Sequence, residues 1–264
     1  MTKKKPYEIR KIPRSRLATI DVFAAGMRKH HVSALLEFDV TEARARLAGM
    51  KERGTRVSFN AWLVQVIAQA LAKHREAAAY LLGGRKLILF DDINISVMVE
   101  KAIGSRKVPM PMVIERAAGK TAAEITREID EAKGQALEAK DVVLRKKPAA
   151  SERLYYRLPG CLRRAVWRFL MRRPKALYRK MGNAIVTSVG MMGRIDGWFI
   201  QRSIHPAAFG VGSILRKPVV VGDEIKIREV LHMTLLADHD VIDGGPMVRL
   251  LNELTELIES GSGL

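Results

Sequence analysis

The sequence has little cysteine and no long apolar run, and both shortages exclude classes of protein. Its one cysteine, Cys161, allows neither an internal disulfide nor a cysteine-based zinc site. No segment reaches the roughly 20 uninterrupted apolar residues of a membrane span. Residues 1–6 include three lysines but are not followed by the apolar stretch of a signal peptide. These absences predict a cytoplasmic protein, and the isolated histidines 30, 205 and 232 predict no metal site.

Acidic residues are also scarce relative to basic ones. The chain has 46 Lys and Arg residues against 28 Asp and Glu residues, a net charge of +18. Such an excess favours an anionic partner, such as nucleic acid, lipid headgroups, an acidic protein or a phosphorylated cofactor. Residues 141–182 contain thirteen basic and two acidic residues, and this one segment therefore carries more than half of the excess.

The order of predicted elements indicates a mixed α/β fold. The 264 residues suffice for one large domain, and we expect a single domain over 1–264 with a basic insertion at about 141–182. Because strands and helices do not alternate regularly, a mixed sheet with helices packed on it is favoured over a doubly wound parallel sheet. Residues 7–30 are expected to form an extended arm with a short helix. The predicted strands are 31–40, 86–90, 93–99, 107–114, 184–189, 208–215, 219–221, 225–228 and 231–237.

Helices are predicted from apolar spacing and from terminal signals at 41–53, from 58 or 60 onward, at 121–137 and at 246–259. Pro109 and Pro111 predict that strand 107–114 lies at a sheet edge or a bulge. Pro218 and the pair Gly222-Asp223 are interpreted as turns between the last strands.

The segment from His239 to Gly244 is the candidate site. It leaves a predicted strand and enters the last helix, and rigid scaffolds often place reactive side chains on such loops. Histidine accepts a proton near neutral pH, and Asp243 lies where a helix N-terminus favours negative charge. Gly244 is expected to permit a tight turn that a side chain would obstruct. On these grounds alone, a turn histidine with Asp243 as a helix cap is an equally good interpretation.

Several stretches, in this order and at these separations, resemble the catalytic domain of the dihydrolipoamide acyltransferases of 2-oxoacid dehydrogenase complexes. Residues 31–41 resemble the first strand of that family and residues 94–99 its central strand. Residues 187–193, with the sequence TSVGMMG, resemble a glycine-containing turn of the family. His205-Pro206 with 210–212 resembles the next stretch, and 238–244 resembles its catalytic signature. The resemblance implies a trimer-forming, chloramphenicol acetyltransferase-like fold: a two-layer mixed sheet with helices on one face.

The resemblance also implies roles for single residues. His239 matches the base that deprotonates a thiol, Thr187 matches a hydroxyl donor to the tetrahedral oxyanion, and Asp243 matches a structural aspartate of the active-site loop. Ser188 is the alternative donor. His31 and Gly244 would lie along the substrate channel, His31 in a supporting role. CoA or acyl-CoA would be a substrate, and each site would lie between two subunits of a homotrimer.

Three departures from the family pattern bear on the acceptor and on the anchoring of the loop. Asp240 stands where the family usually has Arg, which reverses the charge beside His239. An Arg-Lys pair of the family's N-terminal helix does not line up with residues 14–19, so another base would have to anchor Asp243. The sequence also has no room for a lipoyl domain or a subunit-binding domain ahead of the catalytic one. We therefore expect no covalent lipoyl group on this chain, and any lipoyl group would be carried by another protein.

The basic segment admits four interpretations. Leu162, Val166 and Phe169 repeat at helical spacing, with arginines mainly on another side. Such a helix could lie on an anionic membrane, with Trp167 and Tyr155/Tyr156 at the interface, which would make the protein peripheral to the membrane. The segment could also dock an acidic protein, or pack its apolar stripe within the trimer and leave its arginines in water. Nucleic acid is the least favoured, because no recognised motif accompanies the segment.

The sequence thus favours a CoA-dependent acyltransferase that uses a histidine base and a thiol acceptor. A non-catalytic trimeric scaffold of the same fold, binding an anionic partner or membrane through the basic segment, is the alternative. An amine or alcohol acceptor is a third.

Overall fold

The fold is built on one mixed sheet of six strands. The computed structural model describes residues 7–10, 12, 14–103, 106–134, 150–190, 193 and 195–264. The sheet order is β1-β8-β7-β6-β4-β5, and β2 with β3 forms a separate hairpin. Pairs β4–β6 and β6–β7 are parallel and the others are antiparallel. The strands are β1 His31–Asp39, β2 Tyr80–Leu82, β3 Lys86–Ile88, β4 Ile95–Ile103, β5 Arg106–Ile114, β6 Ala184–Ser188, β7 Ala207–Val221 and β8 Glu224–Asp238.

The helices are α1 Arg14–Gly26, α2 Thr41–Glu52, α3 Phe59–Lys73, α4 Ala122–Gly134, α5 Ala150–Arg157, α6 Gly160–Met171, α7 Pro174–Met181 and α8 Gly244–Glu259. Helices α2, α3, α4 and α8 pack on one face of the sheet, whereas α1, α6 and α7 meet in a separate apolar cluster around Leu177 and Ile204. The core cluster joins α3 and α8 to alternate residues of the strands, such as Val186, Phe209 and Leu235. Because strand side chains alternate between faces, the residues between these, such as Thr187 and Thr234, lie on the opposite face.

The long helix α3 shows how the sequence fixes this core. The Ser58 side chain accepts a hydrogen bond from the Ala61 N–H at 3.1 Å and caps the helix. Trp62 is fully buried, and its indole N–H donates to the Ser262 carbonyl at 2.8 Å. The predicted helices 41–53 and 58 onward are therefore confirmed as α2 and α3. Strand 107–114 is confirmed as the edge strand β5. The end of predicted helix 121–137, beyond Gly134, lies outside the described residues.

The last two strands are longer than the sequence predicts. Pro218 does not interrupt β7; it pairs with Ile227 of β8 within one continuous hairpin. Beyond Val211, β7 has no neighbour on its other side among the described residues. A proline that lacks an N–H is tolerated on such an open edge. The predicted turn at Gly222-Asp223 is confirmed, and Gly222 has the positive φ that a hairpin turn requires.

The N-terminal arm is mostly helical, which corrects the expectation of an extended arm with a short helix. Helix α1 has 13 residues and packs against α6. Its Asp21 is buried, and the carboxylate accepts from the Arg163 Nε–H and from the Tyr155 hydroxyl, both at 2.7 Å. The basic segment thereby gains a fixed attachment. Its residues 141–149 lie outside the described ranges, and the helices that are described include none long and apolar enough to span a membrane.

Candidate active site

His239 lies on the short loop between β8 and α8. Its backbone N–H donates to the His30 carbonyl at 3.0 Å, which ties the loop to the residue before β1. The imidazole is 48% exposed. Backbone attachment with an open side chain leaves the ring accessible to a substrate, as a general base requires.

A buried ion pair fixes the start of this loop. The Lys29 ammonium donates to Asp238, whose carboxylate is 1% exposed. The Asp238 backbone N–H donates to the Pro206 carbonyl at 2.9 Å. A buried carboxylate needs such a partner, because its desolvation costs several kcal/mol. Lys29 is the basic residue by which the N-terminal region anchors the loop. Sequence reasoning did not identify it.

Asp243 is the N-cap residue of α8, but its side chain makes no capping hydrogen bond. One carboxylate oxygen lies 3.9 Å from the His239 Nδ1, which is too long for a hydrogen bond, and the side chain is 88% exposed. Asp240, at the position of the reversed charge, accepts instead from the His30 Nδ1 at 2.9 Å. Asp240 thereby raises the pKa of His30.

Gly244 corrects one expectation. A Cβ added at Gly244 meets no described atom within 4 Å, and the residue does not have a positive φ. Within one chain, a side chain would not obstruct this turn. Glycine is instead required at Gly190, where a Cβ would lie 1.9 Å from the Gly212 carbonyl oxygen. The turn after β6 thus passes directly over β7.

Two histidines beneath the loop, the partly buried His31 and the buried His205, support it. The His31 Nε2–H donates to the His205 carbonyl at 2.9 Å, and His31 pairs with Asp238 in the sheet. The His205 Nε2–H donates to the Met181 carbonyl at 2.9 Å, and its Nδ1 lies 3.0 Å from the Ser203 hydroxyl. Burial lowers the pKa of both rings, and it lowers the pKa of His205 to about 4. The supporting role expected of His31 is consistent with these contacts.

His205 should make stability depend on pH. Unfolded His205 takes up a proton near pH 6.5, whereas the folded residue stays neutral to about pH 4. Its contribution is therefore complete above pH 6.5 and is lost as pH falls towards 4. In urea unfolding, the free-energy gap between the native protein and a His205→Gln variant should narrow over this window. A gap that stays constant with pH would contradict the assignment.

Thr187 and Ser188 end strand β6. In the register, Thr187 pairs with Gly210 of β7, which pairs with Thr234 of β8. Thr234 lies five residues before His239, so at roughly 3.3 Å per residue His239 is about 16 Å from the cross-strand row of Thr187, Gly210 and Thr234, measured along the strands. Thr187 is also two strands away from β8 across the sheet, which increases its distance from His239. A single chain therefore does not bring Thr187 and His239 together.

Two further polar side chains belong to the Thr187 row, and sequence reasoning missed both. The Thr234 hydroxyl and both amide atoms of Gln201 are buried without a hydrogen-bond partner in the described part of the chain. The Gln201 Oε1 lies 2.4 Å from the Cβ that a residue at Gly210 would carry. No sequence signal distinguishes Gln201, because it comes from a loop that crosses the sheet only in the folded chain. Buried polar groups are normally satisfied, so this row is suited to a polar ligand group.

A mixed sheet with a histidine loop after its second strand in sheet order defines the class of chloramphenicol acetyltransferase-like α/β proteins. A solved chloramphenicol acetyltransferase matches 97% of this chain with a TM-score of 0.52 and 13% identity, covering 99% of that chain. The family model described as "2-oxoacid dehydrogenases acyltransferase (catalytic domain)" matches residues 7–142 and 179–264. The chain belongs to this family. Residues 143–178, within the basic segment, fall outside the match.

Individual relatives agree with the family. The lipoamide acyltransferase component of a branched-chain alpha-keto acid dehydrogenase complex from Bacillus subtilis is 26% identical, over 98% of this chain and 57% of its own length. The chain thus spans about half the length of curated relatives such as this one. A probable dihydrolipoamide acetyltransferase from Listeria monocytogenes has a TM-score of 0.70 at 22% identity, covering 98% of this chain and 97% of that chain.

A second solved structure has the same fold. It is an Azotobacter vinelandii dihydrolipoamide acetyltransferase with a TM-score of 0.68 and 20% identity, covering 98% of this chain and 95% of that chain. It is described as an investigation of one serine, one histidine and one asparagine in the catalytic mechanism. In that protein the serine precedes the histidine by 52 residues and the asparagine follows it by four.

Proposed function

We propose that this protein transfers an acyl group between CoA and the thiol of a dihydrolipoyl group carried by another protein. One observation carries the proposal: His239 follows Thr187 by 52 residues and precedes Asp243 by four, the separations found in the Azotobacter enzyme. The curated relatives include lipoamide and dihydrolipoyllysine-residue acyltransferase components. The exposed ring of His239, on a loop fixed by backbone bonds, suits a proton acceptor.

The proposed chemistry needs only these side chains and the two substrates. His239 takes the proton of the attacking thiol, and the thiolate adds to the carbonyl carbon of the acyl thioester. The Thr187 hydroxyl donates to the oxyanion that forms, a contribution of about 3 kcal/mol for donors of this kind. The tetrahedral intermediate then expels the other thiolate, which recovers the proton from the imidazolium. The loop is held by the backbone bond from His239 to His30 and by the Lys29–Asp238 pair, Asp243 begins α8 as its N-cap residue, and Ser188 is the alternative donor.

We propose further that the site is shared between subunits of a homotrimer. The separation of about 16 Å between the His239 and Thr187 rows along the strands favours a pairing of His239 with Thr187 of a neighbouring copy. The unpartnered Gln201 and Thr234 beside Thr187 fit a row that is completed by a ligand or a second chain. The β7–β8 hairpin also exposes Val220, Ile225 and Ile227. Such an apolar surface is typical of an interface.

Mixing two inactive variants tests both proposals together. Each of His239→Ala and Thr187→Val alone should be nearly inactive in transfer from acetyl-CoA to dihydrolipoamide. Mixed trimers refolded from equal amounts should regain about a quarter of the native activity, because one interface in four would join an intact His239 to an intact Thr187.

The controls separate the possible failures. Refolding each variant alone should restore no activity, and light scattering should give three chains or a multiple of three. Trimers that recover nothing when mixed would place both residues in one site of one chain and contradict the shared site. A native protein without transfer to thiols, amines or alcohols would contradict the enzyme and leave the scaffold alternative.

A further inference from the structure

Helices α6 and α7, with the end of α5, form a basic platform, defined as residues 154–181. The platform is fixed to the protein at two places. Arg163 and Tyr155 bind the buried Asp21 of α1, and the Trp167 indole N–H donates to the Tyr155 hydroxyl at 3.0 Å. At the other end, Leu177 is buried and the Tyr178 ring stacks on Phe90 with centroids 3.7 Å apart. These two attachments fix the orientation of the platform relative to the rest of the protein.

One stripe of the platform is apolar and exposed, and it lies on a different side of α6 from the attachment residues Arg163 and Trp167. Leu162, Val166 and Phe169 are separated by four and three residues, so they share one side of α6. Leu162 is 50% and Phe169 55% exposed, and α6 buries no residue fully. Trp167 and Tyr155 lie in the attachment to α1, not at the outer surface as the membrane interpretation of the sequence had them. The outward apolar groups are the aliphatic side chains and Phe169.

The charge around this stripe has one sign. Residues 154–181 contain nine Lys and Arg residues and no Asp or Glu. Arg163 is paired with Asp21, but Arg164, Arg168 and Arg172 are exposed and form no ion pair with any residue the structure describes. Their spacing of four places them along one flank of the helix. On the other side, the Arg173 guanidinium lies 4.2 Å from the Phe169 ring centroid.

The apolar stripe and the positive charge together favour one kind of binding partner over the others. A second copy of the platform carries the same positive charge, so two platforms would repel each other. The β7–β8 hairpin of a second copy has charges of both signs, so it does not offer the platform a uniformly negative surface. A purely polyanionic ligand would engage the arginines and leave the apolar stripe in water. A flat surface with anionic headgroups over an apolar layer satisfies both, because an amphipathic helix can lie in that boundary.

We propose that the basic platform binds anionic lipid and holds the protein at a membrane surface as a peripheral protein. Leu162, Val166 and Phe169 enter the boundary between headgroups and acyl chains, and the arginines contact lipid phosphates. This inference does not depend on the proposed acyl transfer, since it uses none of the residues assigned to that reaction.

Vesicle co-sedimentation tests the proposal on the whole protein. Binding to phosphatidylcholine vesicles should rise as phosphatidylglycerol is added and fall as salt is added. The triple variant Arg164→Glu, Arg168→Glu, Arg172→Glu should bind at least roughly a hundredfold more weakly at low salt, at about one factor of five per basic residue removed. The double variant Leu162→Ser, Phe169→Ser should weaken binding at every salt concentration.

A matched control reverses three exposed arginines elsewhere: Arg53→Glu, Arg85→Glu and Arg216→Glu change the net charge equally and should retain most of the binding. Circular dichroism should show both triple variants folded. Three outcomes would overturn the proposal: equal loss in both triple variants, equal binding of a soluble acidic polypeptide with no preference for vesicles, and dissociation of the oligomer by the platform variants. These would indicate, respectively, a general charge effect, an acidic protein partner and a platform covered by another copy of the chain.

Discussion

Replacing His239 by Ala should lower kcat/KM for acyl transfer at least about a hundredfold, the low end for loss of a general base. The loss should appear in kcat, since His239 acts on the proton that moves in the reaction and not on substrate affinity alone. The fold should persist because the ring is about half exposed and the loop is held by backbone bonds. Steady-state kinetics with acetyl-CoA and dihydrolipoamide measure the effect.

A neighbouring histidine supplies the matched control. His30 is exposed and its ring pairs with Asp240, but it contributes only its backbone carbonyl to the His239 loop. His30→Ala should therefore change kcat/KM by less than about tenfold, a ratio within the reach of indirect effects. Equal losses in the two variants would show that the assay responds to disturbance of the loop and not to a catalytic base.

Replacing Lys29 by Met should lower the free energy of unfolding by about 3–5 kcal/mol, the usual effect of leaving a buried charge without its partner. The Asp238 carboxylate is 1% exposed, so water cannot replace the missing ammonium. Since Asp238 precedes His239, the same change should displace the loop and reduce activity. Urea unfolding and kinetics would measure the two effects.

A surface ion pair provides the comparison. Lys73 pairs with Glu253 at 2.5 Å, with the lysine side chain 63% exposed, and Lys73→Met should cost no more than about 1 kcal/mol. The double variant Lys29→Met, Asp238→Asn should recover part of the lost stability because no unpaired charge remains. If Lys29→Met is no more destabilising than Lys73→Met, the buried pair does not hold the loop.

Much of the fold was predictable because its signals are local. The strand 31–40, the Ser58 cap of α3 and the apolar stripe of α8 each follow from a short window of sequence. The His239 loop was predictable from the same window, since a strand end and a helix start flank it. Pro218 was misleading because its tolerance depends on β7 having an open edge, which no local pattern records.

The remaining parts of the site depend on contacts between distant segments. Lys29 meets Asp238 across 209 positions, and Gln201 reaches the Thr187 row only when its loop crosses the sheet. The expected obstruction at Gly244 failed for a related reason, since the residue has open space within its own chain. Sequence spacing could suggest Thr187 through the family resemblance, but it could not show how far one chain leaves Thr187 from His239.

The pairing of β1 with β8 sets the order in which this sheet can be assembled during synthesis. Among the residues that the structure describes, β1 forms its ladder only with β8, from His31 opposite Asp238 to Asp39 opposite Val230. At about 5–20 residues per second, a ribosome would release β1 roughly 10–40 seconds before its partner strand. Throughout that interval the nascent chain holds an unpaired strand with exposed Leu35 and Phe38. Loops closed over such distances are slow to form, so β1, which is made before every other strand of this sheet, is among the last strands to pair, and chaperones would have their longest access to it.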